Sequence, residues 1–139
     1  MSLLLALAAV AALPPPAPLG ILPRQQLAAG SCAAFLWQVA DAPPLLAMIK
    51  TVPTGGLRIV IDGREVELAR AEVQPSAAVR GLSPAARYAG DGISVTTALT
   101  VEERANLANG ALIPSGSLTI ERTSGDAVVV PVSGMLACR

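Results

Sequence analysis

Residues 57–68 of the chain read LRIVIDGREVEL and predict a β-hairpin. Apolar and polar residues alternate on both sides of Asp62-Gly63, a pair favoured in two-residue turns because both turn positions need a positive φ. A turn of this length fixes the register and places Arg58 directly opposite Glu67, where the opposite charges attract each other. We expect a β-domain built from ribbons of this kind. The apolar side of this ribbon comprises Leu57, Ile59, Ile61, Val66 and Leu68.

A second ribbon is predicted near the C-terminus, where residues 117–132 contain two alternating runs on either side of Gly125. A three-residue loop, Thr123-Ser124-Gly125, places Gly125 in the left-handed position that glycine favours. This register pairs Leu118 with Val130. We expect the apolar faces of the two ribbons to line a common core. The apolar side of the second ribbon comprises Leu118, Ile120, Val128, Val130 and Val132.

Four further short runs are apolar or alternate between apolar and polar residues, as β-strands do. The run at 32–39 is apolar almost throughout, which predicts a strand covered on both faces. With the two ribbons, the runs predict an all-β fold: a single antiparallel β-sandwich or a small, partly closed β-barrel of about seven short strands. This single β-domain is expected to span residues 32–139. The four runs are residues 32–39, 45–52, 93–101 and 135–138.

Two segments between these runs lack a regular period. Residues 71–92 contain several prolines and glycines and predict a long surface excursion. Within it, Ser83 and Pro84 are suited to the start of a single helical turn over residues 83–88. A connection of this length is a candidate functional loop. Residues 102–110 are polar at their start and predict a solvated loop in preference to a short helix.

The N-terminal segment resembles an export signal in composition and length. Residues 2–12 are an apolar run of mainly Leu and Ala, too short to span a bilayer, and prolines follow it at once. We therefore predict a signal peptide at residues 1–12, and no stable transmembrane span after its cleavage. No Lys or Arg precedes the run, so an N-terminal helix packed on the domain is the alternative. Residues 13–31 are rich in proline and predict an extended leader that does not pack.

Two cysteines, Cys32 and Cys138, lie near opposite ends of the expected mature chain. In an exported protein an even number of cysteines predicts a disulfide, which requires the first and last strands to be neighbours. The residues Ala29-Gly30-Ser31-Cys32 resemble a bacterial lipobox, which implies a lipid on Cys32. However, a lipobox follows the apolar run directly, and here about twenty residues separate the two. We favour the disulfide.

Composition excludes several classes of function. A net charge of zero argues against a nucleic-acid partner, which requires a basic face. The chain has no histidine, the commonest general base at neutral pH, and its only lysine, Lys50, has no serine nearby in a spacing known for catalysis. We expect no enzymatic activity, no cofactor and no metal. One lysine against nine arginines, with abundant alanine, is typical of GC-rich bacterial coding.

We therefore expect a non-enzymatic bacterial β-domain, periplasmic or secreted, that acts by binding or as an envelope structural protein. Its partner would be an envelope protein or a small ligand. One alternative is a carrier of a small apolar ligand, because small β-barrels can hold one. Asp62 and Asp91 could also be considered as calcium ligands, but each is followed by glycine and a turn alone explains each Asp-Gly pair. Another alternative is a small hydrolase whose acid and base would come from Glu65, Glu67, Glu72, Asp91, Glu102 and Glu103.

Overall fold

The computed structural model describes residues 19–73, 78–107 and 110–139, with the backbone alone for residues 72–73. Within these ranges the chain forms eight strands and no helix. Each strand pairs antiparallel with the next, and the last pairs with the first, so the sheet closes into a barrel. The predicted all-β fold is confirmed. The strands are β1 (Cys32–Gln38), β2 (Leu45–Val52), β3 (Thr54–Ile61), β4 (Arg64–Val73), β5 (Ala85–Gly90), β6 (Ile93–Glu102), β7 (Gly110–Arg122) and β8 (Ala127–Cys138).

Both predicted ribbons are present with the predicted registers. Asp62 and Gly63 connect β3 to β4 with φ angles of 50° and 78°, and Arg58 lies opposite Glu67. In the second ribbon Gly125 has a φ of 97°, and Leu118 lies opposite Val130. The apolar faces of the two ribbons belong to the same buried cluster. The expectation of a common core is therefore confirmed.

The interior of the barrel is filled with side chains. Because successive residues of a strand point to opposite sides, every second residue of each strand faces the axis. These positions are almost all aliphatic, and Tyr88 is the single aromatic residue in the core cluster. The largest side chains buried there are Leu36, Ile49, Leu57, Ile59, Leu68, Leu82, Tyr88, Val95, Ile113, Leu118 and Leu136.

The helical turn predicted over residues 83–88 is wrong, because residues 85–90 form strand β5. Ala86 and Tyr88 alternate into the core, and pairing with β4 and β6 overrides the local preference of Ser83 and Pro84 for a helix start. The residues after β5, Asp91-Gly92, form a two-residue turn of the same kind as Asp62-Gly63, with φ angles of 50° and 74°. The predicted excursion therefore shortens to the connection between β4 and β5.

Residues 19–31 form a strap that packs on the outside of β1, β2 and β3. The amide of Gly20 donates to the carbonyl of Val60 at 2.9 Å, and the amide of Leu22 to that of Leu45 at 2.8 Å. Leu22 is 2 % exposed and belongs to a second apolar cluster with Ala33, Met48 and Val60. The expected leader was extended and unpacked, whereas this part of it packs because outward positions of β1–β3 are apolar. The predicted signal peptide (residues 1–12) and residues 13–18 lie outside the described residues.

Strands β1 and β8 meet at a seam that a disulfide closes, as predicted. Cys32 lies directly opposite Cys138, with 4.0 Å between the Cα atoms. The amide of Arg139 donates to the carbonyl of Ser31 at 2.9 Å just outside this pair. In the chain-entropy account, a cross-link between residues 106 positions apart stabilises the fold by about 4.7 kcal/mol. The bond indicates an oxidising environment and occupies the thiol that lipidation would need.

Substitution of Leu22 by Ala tests whether the strap is part of the folded domain. We expect it to lower the free energy of unfolding by about 2–3 kcal/mol, because it removes a buried side chain from a closed cluster. Substitution of Ile21, which is 68 % exposed, by Ala is the matched control and should change stability little. Urea denaturation measures both. Equal stability of the two variants would contradict the packing of the strap.

Candidate functional site

The outer surface of β2, β3 and β4 is charged. Lys50 Nζ lies 3.1 Å from a carboxylate oxygen of Glu67, and Arg58 Nη2 lies 3.3 Å from the other oxygen. Arg58 also lies 3.5 Å from Glu65 and donates to Gln25 Oε1 of the strap at 2.6 Å. Positive and negative side chains on this wall are therefore paired with one another.

Glu67, one of the two acidic residues of this wall, is poorly suited to act as a general acid. The hydrogen bond from Lys50 and then that from Arg58 lower the pKa of Glu67, and burial opposes them only in part. A general acid needs the opposite shift, toward neutral pH. The side chains of Glu65 and Glu67 are both more than two-fifths exposed, and both take part in ion pairs at the surface of the barrel.

The other candidate carboxylates lie at the two ends of the barrel. One is the turn end, where Asp62 and Asp91 lie in their two-residue turns. The other is the disulfide end, where Glu102 lies 3.3 Å from Arg104 and Glu103 lies 3.9 Å from Arg80. The side chain of Glu72 is outside the described part of the chain. Across the residues that the structure describes, no group of three or more acidic or cysteine side chains is arranged to hold a metal ion.

An ion pair spans the turn end of the barrel. Arg122 Nη2, at the end of β7, lies 2.8 Å from Asp62 Oδ2 in the turn between β3 and β4. Beside it lies a cavity of about 310 Å³, which Arg64 and Asp91 also line. Asp62 is therefore engaged in a structural contact between opposite sides of the barrel, because Arg122 binds its carboxylate. The two calcium candidates differ in this respect: Asp62 has an ion pair, and Asp91 has none among the described residues.

The outer surface of β7, β8 and β1 differs sharply from the charged wall. Strand β8 is the middle strand of this surface, and its inward residues belong to the core. Two of its outward residues, Val129 and Met135, are 64 % and 40 % exposed, and Val39, just after β1, is 61 % exposed. The outward residues of β8 include no charged side chain: they are Ala127, Val129, Pro131, Ser133, Met135 and Ala137.

The strand registers arrange these side chains in rows across the surface. Met135 lies opposite Phe35 of β1 on one side and Leu112 of β7 on the other. In the next row Trp37 lies opposite Ser133, and the Phe35 and Trp37 ring centroids are 6.2 Å apart. Glu121 of β7, opposite Ala127, is exposed at one border of this surface. We call the part without charge the uncharged face, and it comprises Phe35, Trp37, Val39, Leu112, Val129, Pro131, Ser133 and Met135.

The uncharged face corrects one expectation from the sequence. Residues 32–39 were expected to be covered on both sides, and the strap does cover the outward side of Ala33, which is fully buried. Phe35 packs at the margin of the strap cluster, whereas Val39 is largely exposed. The sequence carried a signal for this uncovered surface in residues 127–132. All six are apolar or proline, both at the positions that face inward and at those that face outward. Such a run leaves apolar side chains on the outer side whatever its register.

A second concave region lies between the strap and β2. It has a volume of about 320 Å³ and is lined by Leu27 of the strap and by Met48, Lys50 and Val52 of β2. Met48 is buried, and Lys50 at the rim is engaged by Glu67. The floor of this region is apolar, and the positive charge of Lys50 at its rim is paired with the negative charge of Glu67.

Comparisons with known proteins identify no relative. The chain matches no protein-family model, no curated protein and no solved structure. Within the described residues, no helix is long and apolar enough to cross a membrane. The case for a function therefore depends on the surface of the barrel itself.

Proposed function

We propose that this protein is a non-enzymatic, exported bacterial β-barrel that acts by docking on the apolar surface of another protein through the uncharged face. The observation that carries the proposal is the absence of charge from every outward position of β8, combined with the 64 % exposure of Val129. Apolar patches of a few hundred Å² on small proteins are frequently interaction sites.

The architecture supports docking through side chains. In a closed barrel each strand is paired on both sides, so a partner cannot bind by adding a strand to a free edge. The uncharged face is held on three paired strands and therefore needs little ordering on binding, which favours affinity. Trp37, the only tryptophan of the chain, lies in this face, and tryptophan is enriched among residues that dominate binding energy.

The packed interior favours the outer surface as the place of binding. A carrier needs an internal space lined by side chains, whereas Leu36, Ile59, Leu118 and their neighbours are buried against one another around the barrel axis. Among the described carboxylates, Glu65 and Glu67 are engaged by Arg58, Asp62 by Arg122 and Glu102 by Arg104, which leaves the hydrolase alternative with less support. Both considerations lead us to place the function on the uncharged face.

Export to the periplasm or the medium is the second part of the proposal, and the Cys32–Cys138 disulfide supports it. Intact-mass spectrometry of protein recovered from the exporting cell tests it. We expect a chain that lacks an N-terminal segment ending before Leu19, since the strap belongs to the fold, and that carries no free thiol. Recovery of an intact Met1 or of two free thiols would contradict export.

Site-specific photo-cross-linking in the exporting cell tests the docking function. A photoreactive residue at Val129 should give discrete protein adducts, because that position lies in the uncharged face. The matched control is the same residue at Thr96, an exposed outward position of β6. Adducts absent at Val129, or identical at both positions, would contradict the proposal.

A further inference from the structure

We infer that Arg70 forms a binding site for a carboxylate group on the inner side of the barrel, at its disulfide end. This inference goes beyond the proposed docking function and does not depend on it. It follows from the inward position of this arginine, from the lack of an acidic partner for it among the described residues, and from two buried polar atoms at this end that have no hydrogen bond.

Arg70 points into the barrel. It lies opposite Tyr88 in the pairing of β4 with β5, and side chains directly opposite each other lie on the same side of a sheet. Tyr88 is buried in the core cluster, so Arg70 shares the inner side with it. The guanidinium donates from Nη2 to Ser83 Oγ at 2.6 Å. Ser83 is buried too, in the connection that leads into β5.

The positive charge of Arg70 has no ion pair with any carboxylate that the structure describes. The acidic side chains described at this end are engaged elsewhere, Glu102 by Arg104 and Glu103 by Arg80. Burial raises the pKa of Tyr88, and the positive charge of Arg70 opposes this shift. A charge held on the inner side of a barrel without a partner is unfavourable, and a bound anion would relieve that cost.

Two polar atoms at this end are buried without a hydrogen-bond partner. They are Arg70 Nε and Thr51 Oγ1, and the described part of the chain contains no other buried side-chain nitrogen or oxygen of this kind. Thr51 is 2 % exposed and lies next to the last residue of β2. In contrast, the buried hydroxyl of Thr97 accepts from the amide of Ala86 and donates to its carbonyl. Because buried polar groups are almost always paired, these two atoms indicate a place where a ligand supplies the partner.

A single turn connects Thr51 to Arg70. Val79 and Leu82 close this turn with hydrogen bonds between their backbones, and Leu82 is buried in the core cluster. Gly81 approaches β2 so closely that a side chain there would collide with the carbonyl oxygen of Thr51. Ser83, two residues later, accepts from Arg70. The turn therefore packs against both strands that carry the unpartnered atoms.

The donors that Arg70 retains suit a carboxylate. A guanidinium presents several N–H groups in a planar fork that matches the two oxygens of a carboxylate. Among the described residues, Ser83 alone accepts from this fork. A monoanion neutralises the single positive charge, whereas a dianion such as phosphate leaves a negative charge there. Since Arg70 is partly exposed, the carboxylate can be the end of a larger molecule that stays outside the packed core.

NMR of the arginine Nε–Hε groups in the oxidised full chain tests the site at the atom concerned. The probe is acetate at neutral pH, and chloride at the same ionic strength controls for screening. We expect a saturable shift of the Arg70 signal with a Kd of about 1–10 mM, because so small a ligand binds weakly. The signal of Arg24, on an exposed part of the strap, should not move. Assignment of both signals through bonds in the parent chain makes this measurement independent of any variant.

Substitution of Arg70 by Lys tests the need for the guanidinium fork. Arg70→Lys keeps the positive charge and loses the planar fork, so it should weaken acetate binding at least about tenfold. The backbone amide signal of Ser83 reports binding in this variant. Arg24→Lys makes the same change at an exposed position and should bind acetate like the parent.

Each outcome bears on the inference. An Arg70 signal that does not shift at about 100 mM acetate, or shifts equally with chloride, overturns it, as does unchanged binding in Arg70→Lys. Phosphate that binds more tightly than acetate overturns the assignment to a carboxylate. N-acetylglycine, a model of a peptide C-terminus, distinguishes the source: binding at least as tight as that of acetate supports a peptide terminus, and weaker binding supports a small free acid. Photo-cross-linking at Val129 tests the docking function separately.

Discussion

The pairing of β1 with β8 is the constraint on which the rest of the structure depends. These are the first and last strands of the sequence, so the chain between them is long. Loop-closure entropy therefore opposes their pairing more than it opposes the pairing of two consecutive strands. The Cys32–Cys138 disulfide offsets this cost by restricting the unfolded chain. The same end of the seam anchors the strap, because the amide of Gly30 donates to the carbonyl of Arg139 at 2.8 Å. One junction therefore closes the barrel and holds the strap over its outer surface.

The seam also creates the uncharged face. Trp37 and Val39 come from the first strand and the residue after it, whereas Val129, Ser133 and Met135 come from the last strand, so they are neighbours only in the closed barrel. Gly134 shows how closely the strands approach there, since a side chain at this position would collide with the carbonyl of Phe35. The oxidising environment that the disulfide indicates is thus the environment in which the proposed docking surface is most securely assembled.

The sequence predicted those parts of the fold that depend on local chemistry. Asp62-Gly63 and Gly125 specify their turns, and a period of two then sets the register of each ribbon and the side that enters the core. Strand β5 was missed because Ser83 and Pro84 favour a helix start locally, although Asp91-Gly92 carried the same turn signal as Asp62-Gly63. The strap was missed because Leu22 has no pattern of its own. Its partners Met48 and Val60 are outward residues of different strands, and their proximity follows only from the completed sheet. The uncharged face depends in the same way on which apolar surface the strap leaves uncovered.

Amide hydrogen exchange of the oxidised protein, resolved by residue, tests the closure of the seam most directly. Exchange rates report the free energy of opening for each strand. If the barrel is closed, the hydrogen-bonded amides of β1 and β8 exchange as slowly as those of β6 and β7, because all four strands are paired on both sides. If β1 and β8 instead exchange much faster than β6 and β7, as unpaired edge strands do, the seam is open. The account of both the fold and the docking face would then be contradicted.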